Sequence, residues 1–140
     1  MQIKKVVPII LRQHDLGLQL LVFQHPLAGI QIVKGTVELN ESLEEAALHE
    51  LFEETGIQSA HIQKFLGIHY PKENGPDWYV FVCETQENLL DQWVHYCHDD
   101  GGLEFKFFWH FLYTKPTSDW HPLFQDLLVF IKDNYESKYK

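Results

Sequence analysis

The sequence predicts an α+β protein whose mixed sheet is covered by helices, and two observations predict it. Segments rich in β-branched and aromatic residues lie on both sides of one helical segment, and a second helical segment follows near residue 122. Because strands and helices do not alternate regularly, an all-parallel sheet is not expected. The 140 residues suit one domain with one core, and no linker-like stretch divides residues 1–140.

Three strands are predicted before the first helix. Ile3–Leu11 and Leu18–Phe23 are rich in aliphatic residues and flank the turn-like stretch His14–Gly17, which indicates an antiparallel pair. Ile30–Val33 is a short apolar stretch and is predicted to be the third strand.

The first helix has sequence signals at both ends. Ser42 and Glu45 have the spacing of a capping box, in which each side chain accepts a hydrogen bond from the other residue's backbone N–H. Gly56 suits the left-handed conformation that ends helices, so the helix is predicted to run to about Thr55. The side chains expected to anchor it on the sheet are Leu48, Leu51 and Phe52.

The second half of the chain predicts three more strands and a second helix. The strands are His61–Tyr70, Trp78–Glu84 and Glu104–Tyr113, and the last two are strongly aromatic. Pro122 suits a first helical turn, and apolar residues recur after it at the i, i+3, i+4 spacing of an amphipathic helix. No element is predicted for Glu87–Gly102.

Composition excludes several classes of protein. Acidic residues outnumber basic ones by 20 to 11, so general nucleic-acid binding, which depends on Lys and Arg, is not expected. No apolar run approaches the roughly 18 residues of a membrane span, and the first residues lack the pattern of a secretory signal. We therefore expect a soluble cytoplasmic protein with no membrane partner, in which Cys83 and Cys97 are reduced thiols.

The stretch from Gly35 to Ile57 contains seven carboxylates and neither Lys nor Arg. Three of them, Glu50, Glu53 and Glu54, fall within an arc of about 100° on the predicted helix. Like charges at this spacing repel, and the helix dipole disfavours anions in the last turns. A solvated acidic face is one interpretation. The other is a bound Mg²⁺, which prefers carboxylate oxygens.

The spacing of these residues resembles a known motif. The chain reads Gly35, five residues, Glu41, seven residues, and then H-E-L-F-E-E-T-G-I over 49–57. This resembles the Nudix box, G-x5-E-x7-R-E-U-x-E-E-x-G-U with U aliphatic, at every defined position except His49. Six Gly and Glu residues would match these positions by chance on the order of once in ten million starting positions in random sequence. The chain is therefore similar to the Nudix hydrolase family.

The resemblance implies a fold, a reaction and a site. The implied fold is an α/β/α sandwich with a mixed central sheet. The implied reaction is hydrolysis of a pyrophosphate linkage in a nucleoside polyphosphate, dinucleoside polyphosphate or nucleotide sugar, with Mg²⁺ or Mn²⁺ as cofactor. By position, Glu50, Glu53, Glu54 and the Gly35 carbonyl are the metal ligands. Glu53 is the expected base that deprotonates the attacking water, with Glu50 as the alternative.

The chain departs from the family pattern at two positions. His49 stands where the pattern has Arg, and nearby carboxylates are expected to raise its pKa. We expect an active enzyme in which His49 orients the neighbouring glutamates more weakly, or in a more pH-sensitive way, than an arginine would. The alternative is that His49 is an ordinary exposed helix residue. Lys34 precedes Gly35 where many members have Gly. It is a candidate to contact a substrate phosphate, or else a solvated loop residue.

Further carboxylates follow the acidic helix in the chain. Asp99, Asp100 or Glu104 is a candidate for an additional metal ligand, with a plain polar loop as the alternative. The predicted partner is a small nucleotide-type substrate, and the oligomeric state is left open, with a homodimer as one alternative. The alternative function is a nucleotide-binding or sensing module with little catalysis.

Overall fold

The computed structural model describes residues 3–72, 74–98 and 102–139. Its elements are, in chain order, β1 (Lys4–His14), β2 (Gly17–His25), β3 (Gly29–Gln31), β4 (Gly35–Thr36), α1 (Leu43–Thr55), β5 (Ala60–His69), β6 (Asp77–Thr85), β7 (Trp93–Cys97), β8 (Leu103–Phe111) and α2 (Pro122–Tyr139). Neither described helix is long and apolar enough to cross a membrane. The predicted α+β class is confirmed.

Eight strands of the described chain form one mixed sheet. Its main path runs β5-β6-β1-β2-β8-β7, with β3 beside β2 and β4 beside β1. Strands β1 and β6 pair in parallel, with Val7 opposite Val80, and the other pairings between these strands are antiparallel. The predicted β1–β2 hairpin is confirmed, with His14 opposite Gly17.

The two helices cover opposite faces of this sheet. Successive residues of a strand point to opposite faces. In β1, Val6 and Ile10 belong to the core on the α1 side, whereas Val7 and Ile9 belong to the core on the α2 side. The buried helix residues in these two cores are Ala46, Ala47 and Leu51 of α1 and Phe124, Leu127, Leu128 and Ile131 of α2. The architecture is therefore the α/β/α sandwich that the resemblance implies.

The structure differs from the sequence predictions in three places. Trp93–Cys97 forms β7 within the stretch for which no element is predicted, and this edge strand is held by pairing with β8. Gly35–Thr36 forms β4 beside β1. In α1, Phe52 is 46% exposed instead of anchoring the helix, whereas Ala46 and Ala47 are buried. Their small side chains let the helix lie close to the sheet.

Both cysteines are free thiols, as expected, and the structure buries both. Cys83 and Cys97 are free, with 1% and 2% of their surfaces exposed. Burial raises the pKa of Cys83 to about 12, so its thiol stays protonated near neutral pH. Cys83 therefore serves the core and does not act as a nucleophile.

Candidate active site

Helix α1 carries the clustered carboxylates and begins and ends where its sequence predicts. Ser42 Oγ accepts a hydrogen bond from the Glu45 N–H at 3.0 Å, and the Glu45 carboxylate accepts one from the Ser42 N–H at 3.1 Å. Gly56 has a φ of 83°, in the left-handed region, and its N–H donates to the Phe52 carbonyl at 2.9 Å. These caps fix where α1 begins and ends, and therefore which carboxylates lie in its last turns.

Gly35 lies directly against Glu50. It belongs to β4, which pairs with β1 through Val6, so the sheet holds its backbone in place. A Cβ at this position would overlap the Glu50 carboxyl group. The φ of Gly35 is not in the left-handed region. A glycine at this position therefore makes room for a carboxylate side chain, and the backbone angle does not demand it.

Glu50 and Glu54 line one cleft of about 520 Å³. The backbone N–H of Lys34 donates to the Glu54 carboxylate at 3.3 Å, which links the last turn of α1 to the β3–β4 loop. Lys5 and His25 also line the cleft. Carboxylates on the helix side thus face basic side chains on the sheet side.

The ammonium group of Lys34 contacts two aromatic rings of the core on the α2 side. Its Nζ lies 4.8 Å from the Trp78 ring centroid and 5.5 Å from the Phe124 ring centroid, within the range of a cation–π contact. Burial and the neighbouring Lys5 lower the pKa of Lys34, and Glu54 opposes that shift. Lys34 is therefore a partly desolvated cation of the cleft wall.

His49 bridges two carboxylates of the box. Its Nε2 lies 2.9 Å from the Glu53 carboxylate, and its Nδ1 lies 3.4 Å from the Glu41 carboxylate. Burial alone would lower the pKa of His49, but the charges of Glu53, Glu41 and Glu50 outweigh it, so the net pKa is raised. The predicted rise in pKa is confirmed. His49 also makes defined contacts, although its side chain is 48% exposed.

Glu53 lies outside the cleft that Glu50 and Glu54 share. It borders a neighbouring depression of about 380 Å³ between α1 and β7. Helix geometry explains this separation: at about 100° per residue, Glu54 lies about 40° to one side of Glu50 and Glu53 about 60° to the other. The structure therefore brings Glu50 and Glu54 together at Gly35. Glu53 lies beside His49 instead.

The donors in the cleft fit a hard divalent cation. Among the described residues, no three His, Cys, Asp or Glu side chains converge closely enough to hold a metal ion by themselves. The cleft instead offers the carboxylates of Glu50 and Glu54 beside the main chain of Gly35. Mg²⁺ commonly takes one or two carboxylates and completes its octahedron with water and phosphate oxygens, so these residues fit it.

Of the other candidate ligands, only Glu104 lies among the described residues, and it does not join this set. Asp99 and Asp100 lie outside the described residues. Glu104 is exposed on β8, where the alternation of strand side chains places it on the face opposite Phe105. Because Phe105 lines the cleft, the carboxylate of Glu104 faces away from it.

Lys5 and His25 of the cleft were not predicted from the sequence. Lys5 comes from β1 and His25 from the end of β2. The rings of His25 and Phe105 lie 5.3 Å apart. No local signal marks these residues, because each reaches the cleft through strand pairing between distant parts of the chain.

Comparison with known proteins decides the family. The family model described as NUDIX domain matches residues 3–123. The chain belongs to the NUDIX family. The resemblance of the box to that of the Nudix hydrolase family is confirmed. No curated protein sequence matches the chain significantly.

Solved Nudix structures share the fold of this chain. A UDP-X diphosphatase superposes with a TM-score of 0.68 at 14% identity, covering 99% of this chain and 64% of that one. An ADP-ribose pyrophosphatase from Streptococcus suis 89-1591 gives 0.63 at 15% identity, covering 100% and 94%. The MutT protein from Methanosarcina mazei Go1 gives 0.65 at 19% identity, covering 99% and 96%. At these identities the likeness shows the fold.

Proposed function

We propose that this Nudix hydrolase cleaves the pyrophosphate linkage of a nucleoside diphosphate derivative and depends on Mg²⁺ or Mn²⁺. The observation that carries the proposal is that Glu50 and Glu54 line the same cleft as Lys5 and Lys34. Carboxylates bind a divalent cation, and ammonium groups attract phosphate oxygens. The names of two structural neighbours, a UDP-X diphosphatase and an ADP-ribose pyrophosphatase, support this substrate class.

The metal ligands in this proposal are Glu50, Glu54 and the Gly35 carbonyl, and Glu53 is the further candidate from the box. A bound divalent cation neutralises charge that develops on phosphate oxygens and lowers the pKa of a bound water. The chain prepares the site in two ways. The Lys34 N–H holds the Glu54 carboxylate at the cleft, and the absence of a side chain at Gly35 leaves space for Glu50.

Glu50 is the better placed of the two candidate bases. A base must come within hydrogen-bond reach of the water from which it takes a proton. Glu50 lines the cleft, whereas the Glu53 carboxylate lies 2.9 Å from His49 and borders the neighbouring depression. We therefore assign proton abstraction to Glu50, which reverses the preference drawn from box position alone.

A substrate panel tests this proposal. ADP-ribose, a UDP-sugar, a dinucleoside tetraphosphate and a nucleoside triphosphate are each incubated with Mg²⁺ or Mn²⁺, and products are separated by chromatography. We expect turnover of at least one compound and its loss when the metal is chelated. Glu50→Gln is expected to lower kcat by about 10²-fold or more, the scale of a lost general base, and Glu53→Gln by less. Glu44→Gln, an exposed carboxylate of the same helix, is the matched control and should change kcat less than twofold.

One observation favours a second candidate function, a nucleotide-binding module with little catalysis. His49 replaces the arginine of the box, and its contact with Glu53 lies outside the cleft. Calorimetry on the same panel separates the two functions. Tight binding of a nucleotide without cleavage by the unmodified protein would refute the hydrolase and establish the binding module.

A further inference from the structure

Two side chains of β7 contact the last turn of α1 through hydrogen bonds. Trp93 Nε1 donates to the Thr55 carbonyl at 3.1 Å. His95 Nε2 lies 2.9 Å from the Glu53 carbonyl, and because a carbonyl only accepts, the nitrogen is the donor. The two donors are two residues apart in β7, so they project from the same face of the strand.

These bonds supply partners that the helix itself does not provide. The last four carbonyls of an α-helix have no partner within the helix. In α1 the Phe52 carbonyl accepts from the Gly56 N–H, and the carbonyls of Glu53 and Thr55 accept from β7. The last turn of α1 contains no basic residue. Donors from β7 therefore offset the partial negative charge at this end of the helix.

The contact between β7 and α1 is close as well as polar. A Cβ at Gly56 would lie 3.0 Å from His95 Nδ1, so the imidazole ring packs directly on the glycine. The indole of Trp93 stacks on Phe107, with ring centroids 5.1 Å apart and an interplanar angle of 15°. A continuous series of contacts therefore connects β8, through β7, to the turn that carries Glu53 and Glu54.

We propose that Trp93 and His95 are positioning residues of the active site, which hold the last turn of α1 so that Glu54 stays in the cleft beside Glu50. This inference rests on the proposed function, in which those two carboxylates hold the metal. A shift of this turn would move Glu54 away from the Lys34 N–H, because the helix backbone is nearly rigid over one turn. Neither residue touches the substrate in this assignment.

Trp93→Phe tests the first bond, because it keeps an aromatic ring for Phe107 and removes the N–H. Trp109→Phe is a matched control: its Nε1 donates to the Leu90 carbonyl at 3.0 Å, which is not part of α1. We measure Mn²⁺ affinity by calorimetry, and kcat and KM on the substrate that the panel identifies. Trp93→Phe should weaken Mn²⁺ binding and lower kcat by about tenfold each, with KM within threefold. Trp109→Phe should change each value less than twofold.

A pair of variants at one position tests the second bond. His95→Gln keeps an N–H donor, whereas His95→Phe keeps a ring and removes the donor. We expect His95→Gln to retain most of the Mn²⁺ affinity and His95→Phe to lose about tenfold. Hydrogen exchange of the amides at residues 53–57 should accelerate in Trp93→Phe and His95→Phe only.

Several results would overturn this inference. One is an equal loss of Mn²⁺ affinity in Trp93→Phe and Trp109→Phe, and another is equal behaviour of His95→Gln and His95→Phe. If Trp93→Phe fails to fold, the His95 pair decides. If the unmodified protein cleaves nothing in the panel, the proposed hydrolysis fails, while Mn²⁺ affinity and hydrogen exchange still test the positioning role.

Discussion

Replacing Gly35 with alanine would place a methyl group where the Glu50 side chain lies. The new Cβ overlaps the Cγ and the carboxyl carbon of Glu50. Because the backbone of Gly35 is not in the left-handed region, alanine suits the backbone itself. The clash is therefore relieved by the Glu50 side chain, which must swing out of its position in the cleft.

The Gly35→Ala variant is expected to remain folded and to lose most of its activity. An off-rotamer side chain costs about 0.5–1.5 kcal/mol, and the lower entropy of the unfolded chain returns about 0.4–1 kcal/mol. The free energy of unfolding should therefore change by no more than about 1 kcal/mol. A displacement of about 1 Å near the reacting atoms costs on the order of 100-fold in rate, or about 2.7 kcal/mol. We expect kcat to fall on that scale.

A double-mutant cycle with Glu50→Ala isolates the contact. Values of kcat are measured at saturating Mg²⁺ on the substrate found in the panel, and the free energy of unfolding is measured by urea titration. In the Glu50→Ala background, Gly35→Ala has no side chain to displace and should not lower the remaining activity. Retention of kcat within about threefold in Gly35→Ala, or an equal loss in the Glu50→Ala background, would refute the reasoning.

Three further predictions concern the helix end, the bridging histidine and a buried histidine. Gly56→Ala should lower the free energy of unfolding by about 1–2 kcal/mol in urea titrations, because its φ of 83° is left-handed and the His95 ring leaves no room; an unchanged midpoint would contradict this. His49→Arg should raise kcat, because an arginine carries a permanent charge between Glu41 and Glu53. An unchanged kcat would count against a role of this position in orienting the two carboxylates. Burial lowers the pKa of His69 from its ordinary value of 6.5, against the pull of Asp126, and its Nε2 lacks a hydrogen-bond partner among the described residues. As the pH falls, His69 therefore takes up a proton in the unfolded chain at a higher pH than in the native protein. The free energy of unfolding should decrease as the pH drops below about 6.5 towards the lowered native pKa. His69→Phe should show a smaller loss between pH 7.5 and 5.5, and equal slopes in the two proteins would exclude this assignment.

Local sequence signals were sufficient to predict where α1 begins and ends. Its ends depend on Ser42, Glu45 and Gly56, each within or beside the helix, and the structure confirms all three. The β1–β2 hairpin was predicted for the same reason, because its turn lies between the two strands that it joins. By contrast, Trp93–Cys97 is a strand of five residues at a sheet edge, and its extended state depends on pairing with β8.

The residues of the box predict the chemistry of the site, but they do not predict how the site is arranged in space. The spacing of Glu50, Glu53 and Glu54 placed them on one side of α1 and indicated a divalent cation. The structure divides them between two surfaces, because the side chains diverge around the helix and meet different strands.

Contacts with distant parts of the chain determine which carboxylates of α1 line the cleft and which borders the neighbouring depression. Gly35 comes from β4, and the donors Trp93 and His95 come from positions 38 and 42 residues away from the carbonyls that they bind. A helix motif specifies its own residues and ends, since these depend on neighbours a few positions away. The surfaces against which it packs follow from the order of strands in the sheet, and that order arises only when the whole chain has folded.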